Sequence, residues 1–96
     1  MGLRAAAEAR QTFLVEHYRP GLDVEELRRW IGLVRDTVAD LEREGKPMRF
    51  LRSTIVPCDE SFLCVFEADA EELVREAYAR AGIPFERIST ALTDED

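Results

Sequence analysis

The chain has little of several residue types that would point to a particular class of protein. It contains only two cysteines, Cys58 and Cys64, and one histidine, His17. Two cysteines are too few for the disulfide framework of a small secreted scaffold, and an iron–sulfur cluster needs more thiolates than the chain has. Lys46 is the only lysine among 13 basic residues, against 20 acidic ones. The net charge of −7 argues against nucleic-acid binding, which requires a concentrated basic surface.

Long apolar runs and targeting signals are also lacking. No apolar run approaches the length of about 18 residues that a membrane-spanning helix needs, so no membrane partner is expected. Residues 1–11 are interrupted by Arg4, Glu8 and Arg10, unlike the continuous apolar core of a secretory signal. With so few cysteines, a reduced cytoplasmic location is expected.

The composition that remains is that of one small globular domain. Hydrophobic types make up 46% and charged residues 34% of the 96 residues. We expect a flexible N-terminal segment at 1–10, a folded domain at 11–92 and a solvated acidic tail at 93–96. A chain this short buries only about three-fifths of its unfolded surface, so self-association would add stability.

Four runs rich in β-branched and aromatic residues, bounded by turn residues, are predicted as strands at 11–18, 48–56, 61–67 and 85–92. Between them lie two helices with similar starting signals. Each helix is preceded by an aspartate whose side chain can accept a hydrogen bond, with a glutamate three residues later, which is the spacing of a capping box. The pairs are Asp23 with Glu26 and Asp69 with Glu72. Gly82 is a natural end for the second helix because glycine adopts positive φ without steric cost.

The resulting order, β-α-β-β-α-β, predicts the fold. Right-handed crossovers bring the two halves into one antiparallel sheet of four strands, with both helices on the same face. This is an α+β, ferredoxin-like βαββαβ sandwich.

The predicted strands are apolar on both faces. In the first strand Phe13 and Val15 point one way, while Leu14 and Tyr18 point the other. Because two helices cover only one face of the sheet, the other needs a cover of its own. We expect a second copy, packed face to face as a homodimer. A bound apolar ligand or a terminal segment folded across the sheet are the alternatives.

Such a dimer encloses a cavity, which is where a ligand would lie. Its expected lining residues come from the first and third strands: Leu14, Glu16, Tyr18, Phe62, Cys64 and Phe66. Glu16, buried in an apolar cavity, could serve as the proton shuttle of a cofactor-independent isomerase or monooxygenase, with His17 or Tyr18 beside it. The plainer role for Glu16 is an ion pair with Arg52 or Arg87.

Several segments resemble a known family. Residues 13–21 resemble its opening strand, 50–57 and 64–68 its hairpin, and 74–88 its closing helix and strand. The family is a small bacterial domain of unknown function, often labelled nickel-binding protein-like, and the resemblance covers about residues 12–91. It implies a ferredoxin-like fold and a small ligand or a nickel ion as partner.

His17 and Cys58 are the candidate ligands for that metal. Antiparallel pairing of the first and third strands brings the end of the first strand towards Cys58, and imidazole and thiolate both suit nickel or zinc. The alternatives are a local hydrogen bond for His17 and a nucleophilic role for Cys58 activated by His17. Cys64, in mid-strand, is expected to be a small buried apolar side chain.

Three classes of function therefore stay open. The first is a dimeric small-ligand or nickel-binding protein, with its ligand at the sheet face that the helices leave bare. The second is a cofactor-independent enzyme that uses a cavity between two sheets. The third is a dimerisation or interaction domain with no ligand.

Overall fold

The sheet and helices follow the predicted order. A computed structural model describes residues 10–92, so most of the predicted N-terminal segment and the whole acidic tail lie outside the described residues. The elements are β1 (Gln11–Tyr18), α1 (Val24–Arg43), β2 (Met48–Val56), a 3₁₀ turn (Pro57–Asp59), β3 (Ser61–Ala68), α2 (Glu71–Ala81) and β4 (Arg87–Ala91). This confirms the α+β, ferredoxin-like arrangement.

The four strands form one sheet in the order β2-β3-β1-β4, and every neighbouring pair is antiparallel. β1 and β3 are central, so each is hydrogen-bonded on both sides. Phe13, Val15 and His17 of β1 are buried against the helices. Because side chains alternate along a strand, the even-numbered residues of β1 face the other way.

The start of α1 depends on a capping box, as predicted. The Asp23 carboxylate accepts a hydrogen bond from the backbone N–H of Glu26 at 2.9 Å, and the Glu26 side chain reaches back to the N–H of Asp23. One face of the helix is then buried against the sheet, by Leu27, Ile31, Val34, Val38 and Leu41. These are the positions that a helical period of 3.6 requires.

The start of α2 differs from the prediction. Its N-cap is Ala70, which has no side-chain hydrogen bond, and not Asp69. The backbone N–H of Asp69 donates instead to the Pro47 carbonyl at 3.3 Å, and its carboxylate lies 3.7 Å from Arg10. These contacts hold Asp69 at the end of the sheet, so the helix begins later. Gly82 ends the helix with φ of +72°, as expected.

The boundaries of two strands also differ, and one of these differences is that β4 ends at Ala91 instead of residue 92. β3 continues one residue further than predicted, to the buried Ala68. β4 begins at Arg87 rather than at Phe85, because Phe85 turns back to pack edge-on against Tyr78, with ring centroids 5.2 Å apart. The last turn therefore packs on α2 before the chain joins the sheet.

The hydrophobic core lies between the sheet and the helices. Its largest fully buried side chains are Tyr78, Phe13, Phe62, Phe66, Leu27 and Leu41. Within residues 10–92, no helix is both long enough and apolar enough to cross a membrane.

Candidate functional site

The residues predicted to line one cavity lie on opposite faces of the sheet. In an antiparallel pair, residues directly opposite one another point to the same face. The β1–β3 register sets His17 opposite Phe62 and Val15 opposite Cys64. Phe62, Cys64 and Phe66 are accordingly fully buried under the helices. Only Leu14, Glu16 and Tyr18 of the predicted set lie on the uncovered side, so the expectation that all six share one face is wrong.

We call the surface turned away from the helices the open face. Its side chains are Thr12, Leu14, Glu16 and Tyr18 of β1, Arg49, Arg52, Thr54 and Val56 of β2, Ser61, Leu63, Val65 and Glu67 of β3, and Arg87, Ser89 and Ala91 of β4. Its centre is apolar, because Leu14, Leu63 and Val65 are neighbours there. Tyr18, at one end, is 51% exposed.

Glu16 lies on the central strand β1, directly opposite Leu63, and forms an ion pair with Arg87 on the edge strand β4. Its Oε2 atom accepts a hydrogen bond from Arg87 Nε at 2.8 Å and lies 2.6 Å from Arg87 Nη2. Of the two partners predicted for the plainer role, the structure therefore selects Arg87. A carboxylate in contact with a guanidinium is not in the apolar surroundings that a proton shuttle was expected to have.

His17 is buried on the helix side, and both of its ring nitrogens are engaged. It is 1% exposed, and its ring stacks on Phe62 with centroids 3.8 Å apart and planes 7° apart. Nδ1 lies 3.0 Å from the Phe62 carbonyl oxygen, which can only accept, so Nδ1 carries the proton and donates. Nε2 is then left to accept from the Tyr78 hydroxyl at 2.8 Å. The local hydrogen-bonding role predicted as the alternative describes this geometry.

The surroundings of His17 keep its ring neutral. Burial lowers the pKa of His17 from 6.5 to about 4, because the charged imidazolium loses its hydration. The hydrogen bond to the Phe62 carbonyl opposes this shift, and the nearby Arg19 charge adds to it. A neutral ring suits the two hydrogen bonds, because the imidazolium has no acceptor nitrogen for the Tyr78 hydroxyl.

Cys64 and Tyr78 complete a buried polar cluster with His17. Burial raises the pKa of the Cys64 thiol to about 11, because the charged thiolate would lose its hydration. Burial also raises the pKa of Tyr78, and Cys64 adds to that effect. Both groups therefore stay protonated at neutral pH, and a buried thiol in this state is a poor nucleophile.

Sequence reasoning placed Tyr78 only on the apolar face of the second helix and missed its polar contact. A signal for that contact was present. A buried tyrosine needs a hydrogen-bond partner for its hydroxyl, and His17 is the only histidine in the chain. The missing information was that the end of β1 passes beneath the middle of α2.

Cys58 lies away from this cluster, exposed in the 3₁₀ turn between β2 and β3. Its Sγ atom lies 4.0 Å from Asp59 Oδ1. The His17 ring points under the helices and has no nitrogen free to join it. Among residues 10–92, no group of three or more His, Cys, Asp or Glu side chains is placed to hold a metal ion.

Together these features define an α+β protein with a ferredoxin-like sheet, one face of which the helices do not cover. Residues 13–90 match a family model described as nickel responsive protein SCO4226-like. The chain therefore belongs to the SCO4226-like family, which confirms the resemblance found in the sequence.

Comparison with solved structures supports the same fold. The crystal structure of SCO4226 from Streptomyces coelicolor A3(2) matches with a TM-score of 0.68 at 18% sequence identity. The match covers 88% of this chain and 99% of that chain. A comparison with curated proteins gives no match.

The family description names nickel, and the residues described here do not fit a nickel site built on His17. A metal-binding imidazole needs one nitrogen with a free lone pair. In His17 one nitrogen donates to Phe62 and the other accepts from Tyr78. Binding a metal would break the buried contact with Tyr78, and Cys58 offers only Asp59 beside it.

Proposed function

We propose that the protein is a homodimeric binding protein for a small apolar molecule. Two copies pack their open faces against one another, and the ligand lies between the two sheets. The observation that carries this proposal is the apolar centre of the open face, which the protein's own helices do not cover. Large apolar patches on small proteins usually mark a binding surface.

The heights of the side chains favour an enclosed space over a filled interface. The centre of the open face carries apolar side chains of medium length, such as Leu14, Leu63 and Val65. Its margins carry longer ones, such as Arg52 and Tyr18. Two sheets packed face to face lie about 10 Å apart. Because the side chains at the margins are longer than those at the centre, the margins meet first and room is left in the middle. Leu14, Leu63 and Val65 make part of that room apolar, and the Glu16 charge beside them is paired with Arg87, so a ligand with an uncharged apolar body suits it.

Dimerisation also helps the small domain to remain folded. Burying a Leu or Val side chain completely contributes about 1.5–3 kcal/mol relative to leaving it exposed. Leu14 and Leu63 are only half-buried in one chain, so each has further surface to remove from water. A second copy supplies this burial symmetrically, because a two-fold interface uses the same patch twice.

The proposal gives no catalytic role to Glu16 or His17, and no metal-binding role to His17 or Cys58. Glu16 is paired with Arg87, and both nitrogens of His17 are hydrogen-bonded. A nickel response in this protein would need ligands other than these. The cytoplasmic location expected from the sequence stays a prediction.

Leu63→Asp tests the dimer. We expect this change to raise the dimer dissociation constant at least tenfold, because it places a charge in the apolar centre of the interface. The matched control is Leu33→Asp, which makes the same change on the outer side of α1, where Leu33 is 50% exposed. Light scattering after gel filtration reports the molar mass of each variant. Equal dimerisation of both variants would contradict the proposal.

A neutral apolar fluorophore tests the ligand space. N-phenyl-1-naphthylamine should bind the wild type and Leu33→Asp saturably, and lose most of its fluorescence enhancement with Leu63→Asp. A dimer that takes up none of the fluorophore would favour a purely structural interface and contradict the ligand-binding half of the proposal.

A further inference from the structure

A second concave site lies on the other side of the sheet. It is a groove of about 520 Å³ between α1 and the edge strand β2. This volume is within the range of about 300–1,000 Å³ that is usual for small-molecule sites. Five residues line the groove: Arg28, Ile31, Arg35, Ser53 and Ile55. Since Ser53 and Ile55 point to the helix side, the groove is separate from the open face.

Arg28 and Arg35 project from the same helix, α1. Their separation of seven residues is about two turns, so they lie above one another on one side of α1. The Arg35 guanidinium carbon lies 5.5 Å from the centre of the Phe50 ring, which holds it against the sheet. Arg28 lines the same groove and lies about one helical turn before Ile31.

The charge of this groove is not neutralised by the protein. Arg28 and Arg35 form no ion pair with any residue between 10 and 92. Most other basic residues in that range do form one, including Arg19, Arg80 and Arg87. Two guanidinium groups that have no ion-pair partner among residues 10–92 therefore line one groove of a chain of net charge −7. They favour an anionic occupant.

The remaining walls determine the kind of anion. Ile55 is partly exposed and presents aliphatic surface, Ile31 is almost fully buried, and Ser53 adds one hydroxyl. Inorganic phosphate would gain nothing from Ile55. A carboxylate can receive paired hydrogen bonds from a planar guanidinium, while an apolar body attached to it contacts Ile55.

From this arrangement we propose that the groove between α1 and β2 binds a small organic carboxylate that has an apolar body. The carboxylate lies between Arg28 and Arg35, and the apolar part packs on Ile55. The site needs no second copy of the chain. It is therefore independent of the open face and of the ligand proposed for it.

Phenylacetate is a suitable test compound, followed by the amide resonances of ¹⁵N-labelled protein. We expect saturable shifts at Ser53 and Ile55, with a dissociation constant of about 1–10 mM for so small a ligand. Phenylacetamide, which keeps the ring but has no charge, should bind at least tenfold more weakly. Inorganic phosphate, which has charge but no apolar body, should also bind at least tenfold more weakly.

Variants then assign the contacts. Arg28→Gln and Arg35→Gln should each weaken phenylacetate binding about tenfold or more, since hydrogen bonds to charged groups are the strong ones. Arg29→Gln is the matched control, because this exposed neighbour on the same helix does not line the groove. Circular dichroism verifies that each variant is folded.

Three results would overturn the proposal: no saturable shift at Ser53 and Ile55, equal binding of phenylacetamide or phosphate, or an equal effect of Arg29→Gln. Leu63→Asp distinguishes this site from the proposed dimer. That variant should bind phenylacetate as the wild type does, even where it abolishes dimerisation.

Discussion

Replacing His17 with alanine is expected to lower the free energy of unfolding by about 3–5 kcal/mol. The change removes a fully buried ring that stacks on Phe62 at 3.8 Å. It also leaves the Phe62 carbonyl and the Tyr78 hydroxyl without their buried partner. Because small domains have a total stability of about 5–15 kcal/mol, this variant should be close to unfolding at moderate temperature.

Urea denaturation at one fixed chain concentration measures this effect, since self-association makes apparent stability depend on concentration. His17→Phe is the informative control. It retains a ring that can stack on Phe62 but leaves both hydrogen-bond partners unsatisfied, so it should cost less than the alanine variant. A loss below about 0.5 kcal/mol for His17→Ala would contradict the buried cluster, because that is the usual effect of a surface substitution.

The second large effect is a loss of stability in mild acid. Between pH 6.5 and pH 4, His17 alone is expected to remove about 3 kcal/mol of the free energy of unfolding. The unfolded chain takes up a proton at His17 below pH 6.5, whereas the folded chain resists this until about pH 4. Protonation therefore favours the unfolded state within this window. Above pH 6.5 the contribution is constant, and below pH 4 no more is lost.

Comparison of the wild type with His17→Phe isolates this contribution. Carboxylates common to both proteins titrate in both, so their effects cancel in the difference between the two free energies. The advantage of the wild type over the variant should shrink by about 3 kcal/mol from neutral pH to pH 4. Two parallel pH profiles would show that His17 is not buried as a neutral ring.

Much of the fold could be predicted because its signals are local. The Asp23–Glu26 capping box depends only on neighbouring residues, and so does the helical spacing of the buried residues of α1. The structure has both. The second helix shows the limit of such reasoning. Asp69 has the same local signal as Asp23, but contacts with Pro47 and Arg10, distant in sequence, hold it just past the end of β3.

The candidate site was harder to predict because it depends on how strands pair. Within β1 and within β3, the side chains that share a face of the sheet were grouped correctly. The sequence does not show which group of β1 lies on the same face as which group of β3. A mismatch of one residue transfers a whole set of side chains to the opposite face. That is how Phe62, Cys64 and Phe66 were grouped with Leu14 instead of with Val15 and its neighbours.

The groove between α1 and β2 illustrates a second limit. Arg28 and Arg35 look like two of many charges on the outer side of a helix. Their significance comes from what they do not contact within residues 10–92, together with the strand that lies opposite. Neither property can be obtained from helical spacing alone.

The most direct test of the central claim is the molar mass of the wild type by sedimentation equilibrium over a range of chain concentrations. A protein that covers its open face with a second copy should give twice the chain mass of 11.0 kDa and dissociate only on dilution. A mass of 11.0 kDa at every concentration would mean that the half-buried Leu14 and Leu63 gain no cover from a second copy, and would contradict the account.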